Sequence, residues 1–145
     1  MSELKIGDKS PLMFEEENYK NKKVILYFYP KDNTPGCTDE SCNLRDNYEE
    51  LKKEGFEVIG VSPDSENSHQ KFAEKHSLPF KLISDNNKDI LKKFGAWGEK
   101  KMYGKTYEGV IRKTFVISEN GKIEQIIEKV KTKDHAKQIF ELYKK

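Results

Sequence analysis

An uninterrupted apolar run, Val24-Ile25-Leu26-Tyr27-Phe28-Tyr29, ends at Pro30 early in the chain. The run is short, rich in β-branched and aromatic residues and closed by a proline, and this combination predicts a buried central strand. A polar turn follows at residues 31–36, and from Cys37 onward the apolar residues recur at i, i+4 and i+7. This part of the chain is therefore predicted to be a strand, a tight turn and a helix.

Strands and helices alternate along the rest of the chain. After a helix at 37–53 that ends at Gly55, the pattern predicts a strand at 56–61, a helix ending near His76, a strand at 80–83, a helix at 85–94, a loop at 95–109, strands at 113–117 and 122–128, and a helix at 133–143. Asn120-Gly121 is a strong hairpin signal, and Thr132 is a suitable N-cap for the last helix. This order indicates an α/β, thioredoxin-like fold with a central mixed sheet flanked by helices.

Length and composition indicate one compact domain. The 145 residues suit a single domain spanning 1–145. Charged residues make up 36% of the chain and hydrophobic residues 34%, a balance that by itself is also compatible with disorder. Because the apolar residues cluster into runs, we expect a packed core beneath a heavily solvated surface.

Charge patterning argues against nucleic-acid and membrane partners. The formal net charge is +2, from 27 basic and 25 acidic residues, and lysines and glutamates alternate along the chain. Nucleic-acid-binding proteins instead concentrate basic residues on one face. No segment approaches the ~20 apolar residues of a membrane span, and residues 1–8 lack the apolar core of a signal peptide. We therefore expect a cytoplasmic protein with neither kind of partner.

Cys37 occupies a position at which a cysteine becomes reactive. It follows the turn that contains Pro35-Gly36, and it opens the predicted helix. The first turn of a helix presents unpaired N–H groups and a partial positive charge, which both stabilise a thiolate. Because the thiolate is the nucleophilic form, Cys37 is a candidate catalytic residue, and an inert buried cysteine is the alternative.

Cys42 is predicted on the polar face of the same helix. At 100° per residue it lies roughly 200° from Leu44, whereas Cys37 lies about 20° from Leu44. Free cysteines usually behave as small buried hydrophobes, so an exposed one suggests a chemical role, with chance as the alternative. On an intact helix the two Cα atoms are ~8.6 Å apart, and a disulfide closes only below about 7 Å. A transient disulfide between them, which a reducing cytosol allows, therefore requires the helix start to unwind.

Metal binding is a competing use of the two thiols. A structural zinc site needs four ligands, usually closely spaced cysteines or histidines. His69, His76 and His135 lie on charged helical segments without such spacing, and each is predicted to be a solvated surface residue. We expect neither a metal nor any other cofactor.

The segment around Cys37 resembles a known family motif. The stretch Tyr27-Phe28-Tyr29-Pro30-Lys31-Asp32-Asn33-Thr34-Pro35-Gly36-Cys37-Thr38, followed by Cys42 and Arg45-Asp46, is similar to peroxiredoxins of the bacterioferritin-comigratory-protein (Q) class. The similarity continues through residues 94–100, 104–109 and 109–117 and runs in order from about Leu4 to the C-terminus. Residues 12–21 depart from it, because the family usually has a longer hairpin with an Asp-Gly turn there.

The resemblance implies a thioredoxin-dependent thiol peroxidase and a role for each motif residue. Cys37 would be the peroxidatic cysteine and Cys42 the resolving cysteine. Thr34 would hydrogen-bond the thiolate and the bound peroxide, Arg112 would hold the thiolate and polarise the O–O bond, and Pro35 would shield the pocket. An arginine suits this task, because it is always charged, favours the thiolate and meets the negative charge on the expelled oxygen.

The implied reaction has three steps and leaves alternatives open. The thiolate attacks a hydroperoxide and becomes a sulfenic acid, the second cysteine closes an intramolecular disulfide, and thioredoxin or glutaredoxin restores both thiols. Because both cysteines lie in one chain, we expect a monomer. The alternatives are a thiol–disulfide oxidoreductase, which the absence of C-x-x-C spacing disfavours, a redox sensor or chaperone, and a plain α/β binding domain.

Overall fold

The computed structural model of the chain describes residues 4–12 and 19–144, so most of the divergent segment at 12–21 lies outside the described residues. The strands are β1 (Lys23–Phe28), β2 (Phe56–Ser62), β3 (Lys81–Ser84), β4 (Trp97–Met102), β5 (Lys105–Val110), β6 (Lys113–Ile117) and β7 (Ile123–Ile127). The helices are α1 (Pro35–Asp46), α2 (Tyr48–Lys53), α3 (Glu66–His76), α4 (Asp89–Lys93) and α5 (His135–Leu142). None of these helices combines the length and the apolar character needed to cross a bilayer.

A five-stranded mixed sheet forms the centre of the fold. Its strand order is β3-β2-β1-β6-β7, with β1 in the middle. β1 and β3 both pair with β2 in parallel, whereas β6 pairs antiparallel with β1 and β7. The prediction of a buried central strand within a mixed α/β sheet is therefore confirmed.

Both faces of β1 are covered, and this explains its uninterrupted apolar sequence. Successive side chains of a strand point to opposite faces. Ile25 and Tyr27 belong to a core shared with α1, α2, α3 and α5, whereas Leu26 and Phe28 belong to a second core shared with α4 and the start of β4. Each of these side chains is fully buried, and each such burial stabilises the fold by ~1.5–3 kcal/mol.

The helix predicted at 37–53 is two helices, so its continuity was predicted wrongly. α1 begins at Pro35, whose fixed φ suits the first helical position. Asn47 interrupts the helix with φ −108° and ψ 9°. Its side-chain amide donates to the Asn43 carbonyl at 2.8 Å. Asparagine competes with the helical ladder through such local hydrogen bonds, and this accounts for the break.

Residues 95–109 were predicted as a loop, and this prediction was wrong. Residues 97–110 form the antiparallel hairpin of β4 and β5, a separate two-stranded sheet. Gly98 pairs with Gly109, and the charged pair Glu99 and Glu108 lies in the next register position. Much of the hairpin is exposed, so it lacks the alternation of apolar and polar residues that normally reveals a strand.

The C-terminal hairpin is confirmed, but the predicted cap of the last helix is not. Gly121 has a φ of +82° in the turn between β6 and β7. Asp134, rather than Thr132, precedes the first residue of α5, and its side chain makes no capping hydrogen bond. Asn43 of α1 instead accepts the N–H of Ala136 at 2.8 Å. α1 therefore supplies a tertiary cap to α5.

Candidate active site

Cys37 lies in the first turn of α1, at the edge of the sheet where β1 ends. The preceding turn includes Asn33 in a left-handed conformation, with φ +62°. The first hydrogen bond of the helix runs from the N–H of Thr38 to the carbonyl of Thr34, so the N–H of Cys37 lies ahead of the helical ladder. The side chain of Cys37 is 1% exposed. The predicted placement at a helix start, on its apolar side, is confirmed.

Arg112 reaches the sulfur from the segment between β5 and β6. Its Nη2 lies 3.3 Å from Cys37 Sγ, and its Nη1 donates to Glu40 Oε1 at 2.6 Å. The forked guanidinium therefore faces the sulfur and a carboxyl oxygen simultaneously. Burial lowers the pKa of Arg112, but its contacts with Glu40 and Cys37 outweigh burial and raise the pKa above its ordinary value. A permanent cation thus lies against the sulfur and favours the thiolate.

The other three motif residues are Thr34, Pro35 and Cys42. Thr34 Oγ1 donates to the Lys31 carbonyl at 2.7 Å, and no hydrogen bond joins it to the sulfur in the described structure. Pro35 is exposed at the first position of α1. Cys42 is partly buried, and both cysteines are free within the unbroken helix. Helix geometry therefore separates their Cα atoms by ~8.6 Å.

Glu40 and His135, neither of which was predicted to be a site residue, complete the buried shell behind Arg112. Both are fully buried. His135 was predicted to be a solvated surface residue, and the structure shows that this was wrong. Its Nε2 lies 2.7 Å from Thr114 Oγ1 and 3.5 Å from Glu40 Oε2. A buried titratable group requires polar partners, and Thr114 of β6 and Gln138 of α5 supply those of His135.

A family model described as the AhpC/TSA family matches residues 4–126 of the chain. The chain belongs to this family. The putative peroxiredoxin Bcp of Haemophilus influenzae is 42% identical over 150 residues that cover 97% of each chain. These matches and the site geometry show that the chain is a peroxiredoxin, an enzyme with thiol peroxidase activity.

Solved structures agree with this assignment. A cysteine-to-serine mutant of Xylella fastidiosa PrxQ superimposes with a TM-score of 0.88 at 31% identity, covering 99% of this chain and 98% of that one. A bacterioferritin comigratory protein of Xanthomonas campestris, studied for its alkyl peroxide reduction activity, gives a TM-score of 0.80 at 37% identity, covering 87% and 80%. The predicted thioredoxin-like fold is therefore confirmed for this peroxiredoxin.

A second buried polar group holds the turn that leads to Cys37. His69 Nδ1 lies 2.8 Å from Asp32 Oδ2, and its Nε2 lies 3.0 Å from the Ile83 carbonyl. Both ring nitrogens face acceptors, an arrangement that favours the imidazolium, which donates from both nitrogens. Burial lowers the pKa of His69, but Asp32 outweighs it and raises the pKa above 6.5. His69 was also predicted to be solvated, wrongly, although its position three residues before the buried Phe72 could have indicated a buried face.

Asp32, Asp64 and His69 form a cluster whose spacing could suit a metal ion. Each offers one ligand atom, and these atoms lie within 4.8 Å of one another. A histidine ligand needs a deprotonated nitrogen, whereas both nitrogens of His69 are directed to Asp32 and to a carbonyl. The residues therefore fit an ion pair that fixes the turn, and not a metal centre.

Proposed function

We propose that the Cys37 thiolate of this peroxiredoxin reduces hydrogen peroxide and organic hydroperoxides, and that Cys42 resolves the oxidised form. The observation that carries the proposal is the 3.3 Å contact between Arg112 Nη2 and Cys37 Sγ in the first turn of α1. The alkyl peroxide reduction studied in the Xanthomonas campestris relative supports organic hydroperoxides as substrates.

In the first step the sulfur attacks one oxygen of the peroxide. An S–O bond forms, the O–O bond breaks, sulfur is oxidised to the sulfenate (the ionised sulfenic acid), and the second oxygen keeps the peroxide proton and leaves as the alcohol or water. The expelled oxygen carries developing negative charge, which the guanidinium of Arg112 is positioned to meet. The Thr34 hydroxyl already donates to Lys31, so we infer that it accepts a hydrogen bond from the peroxide O–H. Pro35, exposed at the helix start, would cover the pocket against water.

In the second step Cys42 attacks the sulfenic sulfur. A disulfide forms, the S–O bond breaks, and the oxygen leaves as hydroxide, which takes up a proton to become water. The separation of ~8.6 Å along an intact helix exceeds the span of a disulfide, about 7 Å, so the first turns of α1 must unwind. The unwound segment would expose the disulfide to a dithiol reductant.

In the third step a dithiol protein restores both thiols by exchange. We propose thioredoxin for this role, with glutaredoxin as the second possibility. We further propose that the enzyme is cytoplasmic. We also propose that it acts as a monomer, because both redox-active cysteines lie in one chain.

Intact mass after one equivalent of hydrogen peroxide tests the proposal. The wild type should lose about 2 Da as a disulfide, and Cys42→Ser should gain about 16 Da as a sulfenic acid. Cys37→Ser is the matched control and should not react within minutes. If Cys37→Ser consumes peroxide as fast as the wild type, the catalytic assignment is wrong.

A further inference from the structure

One buried oxygen of the active site lacks a partner. Glu40 is fully buried, and its Oε1 accepts from Arg112 at 2.6 Å. Its Oε2 has no hydrogen-bond partner among the described residues and faces His135 Nε2 at 3.5 Å. Leaving a carboxylate oxygen bare in the interior is costly, so this position calls for a proton.

The hydrogen bonds of His135 show which of its nitrogens carries hydrogen. Its Nδ1 lies 2.8 Å from Gln138 Oε1. The Gln138 amide is oriented, because its Oε1 accepts the N–H of Lys131 and its Nε2 donates to the Lys129 carbonyl, both at 2.9 Å. Nδ1 is therefore the donor, and Nε2 is left to accept from Thr114 at 2.7 Å. Nε2 therefore carries no hydrogen, and His135 offers no N–H that could stabilise an ionised Oε2 of Glu40.

With Cys37 as the thiolate that the proposed function requires, the charges around Glu40 do not balance without an additional proton. Among the residues that the structure describes, Arg112 is the single cation in contact, and it faces both the Cys37 sulfur and Glu40. Burial lowers the pKa of His135 to about 4, so α5 contributes no charge at neutral pH. From β1, Tyr27 contributes only a neutral phenol, which pairs with Ser41 at 2.9 Å. When Glu40 Oε2 carries a proton, the Cys37 thiolate is the one anion that pairs with the guanidinium of Arg112.

The pKa of Glu40 agrees with this charge count. Burial raises it to about 7, against the opposing charge and hydrogen bond of Arg112. The direction follows from the complete burial of the side chain.

The position of Glu40 in the chain indicates when this proton is released. Glu40 lies between the two cysteines, so the unwinding that joins Cys37 to Cys42 exposes it to water. We propose that Glu40 holds a proton against His135 in the folded site and releases it when α1 unwinds, so that the oxygen expelled during resolution leaves as water. This inference rests on the two-cysteine function proposed above.

The reaction balances with this proton. One thiolate, one thiol and one hydroperoxide give a disulfide, an alcohol and a hydroxide ion. The Glu40 proton converts the hydroxide to water, and the carboxylate remains in solvent. Without it, the second product must take its proton from the medium.

Proton counting tests the inference. Reduced wild type and Glu40→Gln are mixed with one equivalent of hydrogen peroxide in weak buffer at about pH 6, below the raised pKa, with a pH indicator. The thiolate fraction of each protein is read from its ultraviolet absorbance, and the disulfide from intact mass. Per disulfide formed, and after correction for thiolate, Glu40→Gln should take up about one more proton from solution than the wild type.

Two further variants make the test decisive. Cys42→Ser stops before unwinding and should show no Glu40 proton release. His135→Gln offers an amide donor that stabilises ionised Glu40, so its proton release should fall towards that of Glu40→Gln. Equal proton counts in wild type, His135→Gln and Glu40→Gln, with the disulfide formed in each, would overturn the inference and leave the peroxidase proposal intact. Failure of the wild type to form a disulfide would instead overturn the proposed function.

Discussion

At the scale of single residues, the geometry of one guanidinium sets the reactivity of one sulfur. Arg112 uses two nitrogens on two partners, and a lysine can place only a point charge there. We expect Arg112→Lys to lower the second-order rate of sulfenic acid formation by ~10- to 100-fold, since it loses a charge-assisted contact. Arg45→Lys is the matched control. Arg45 lies on α1, as Cys37 does, but it pairs with Asp46, so this substitution should leave the rate unchanged. A rate within twofold of wild type for Arg112→Lys would contradict the assignment.

Gly36 offers a subtler test of the same contact. A Cβ at this helical position would lie 3.3 Å from Arg112 Nη2, close enough to push the guanidinium by a few tenths of an ångström. Alanine also favours a helix over glycine by ~1 kcal/mol. Gly36→Ala should therefore slow peroxide reduction while the urea midpoint of unfolding stays equal or rises. Stopped-flow kinetics and urea unfolding on the same sample separate the two effects, and a parallel loss of stability would argue against a local displacement.

Some site residues were accessible from sequence and others were not. Cys37 was found because the start of a helix stabilises a thiolate, and the family resemblance drew attention to Arg112. Glu40 and His135 resemble any solvated helical residues, since their burial depends on α5 packing against α1. His69 on α3 was missed as well: its spacing from Phe72 indicates a buried face, but nothing in the sequence identifies Asp32 as its partner. The sequence does not indicate which tertiary partner will hydrogen-bond to a buried polar side chain.

At the scale of elements, α1 is the part that must open, and the raised pKa of Glu40 makes its opening depend on pH. A carboxyl whose pKa is raised in the folded helix stabilises that helix below its ordinary value of 4.5, and the stabilisation is lost as pH rises through about 7. The opening constant should therefore increase on the order of a hundredfold between these limits. Hydrogen exchange of α1 amides in the reduced protein, corrected for intrinsic rates, measures it. Glu40→Gln should show a flat profile, and an equally steep profile in that variant would contradict the account.

The elements that were predicted correctly are those with a buried face. β1, β2 and β6 carry apolar runs because both sides of the sheet are covered, so their pattern is visible in the sequence. The hairpin of β4 and β5 was missed because it is largely exposed and has no such pattern. The division of α1 from α2 depends on one side-chain hydrogen bond of Asn47, which helical periodicity does not report.

At the scale of the whole molecule, the ion pair of Asp32 and His69 ties the turn before Cys37 to α3 and, through Ile83, to β3. The Asp32 and His69 side chains are 2% and 5% exposed, so removing one charge leaves the other unpaired in the interior. Breaking a buried pair in this way typically costs ~3–5 kcal/mol. We expect Asp32→Asn to lower the free energy of unfolding by this order. Asp46→Asn, in an exposed pair with Arg45, is the control and should change it by less than ~1 kcal/mol.

The same pair predicts the pH range over which this stability exists. The hydrogen bonds from His69, Tyr29 and Ser68 outweigh burial and lower the pKa of Asp32 from 3.8, so its contribution is present above that value and is lost as pH falls through the lowered pKa. The pKa of His69 is raised above 6.5, so its contribution is complete below 6.5 and is lost as pH rises through the raised pKa. The difference in unfolding free energy between wild type and Asp32→Asn should therefore be largest between these limits and shrink on both sides. Urea unfolding at a series of pH values measures it, and a difference that does not vary with pH would show that His69 is not charged in the folded protein.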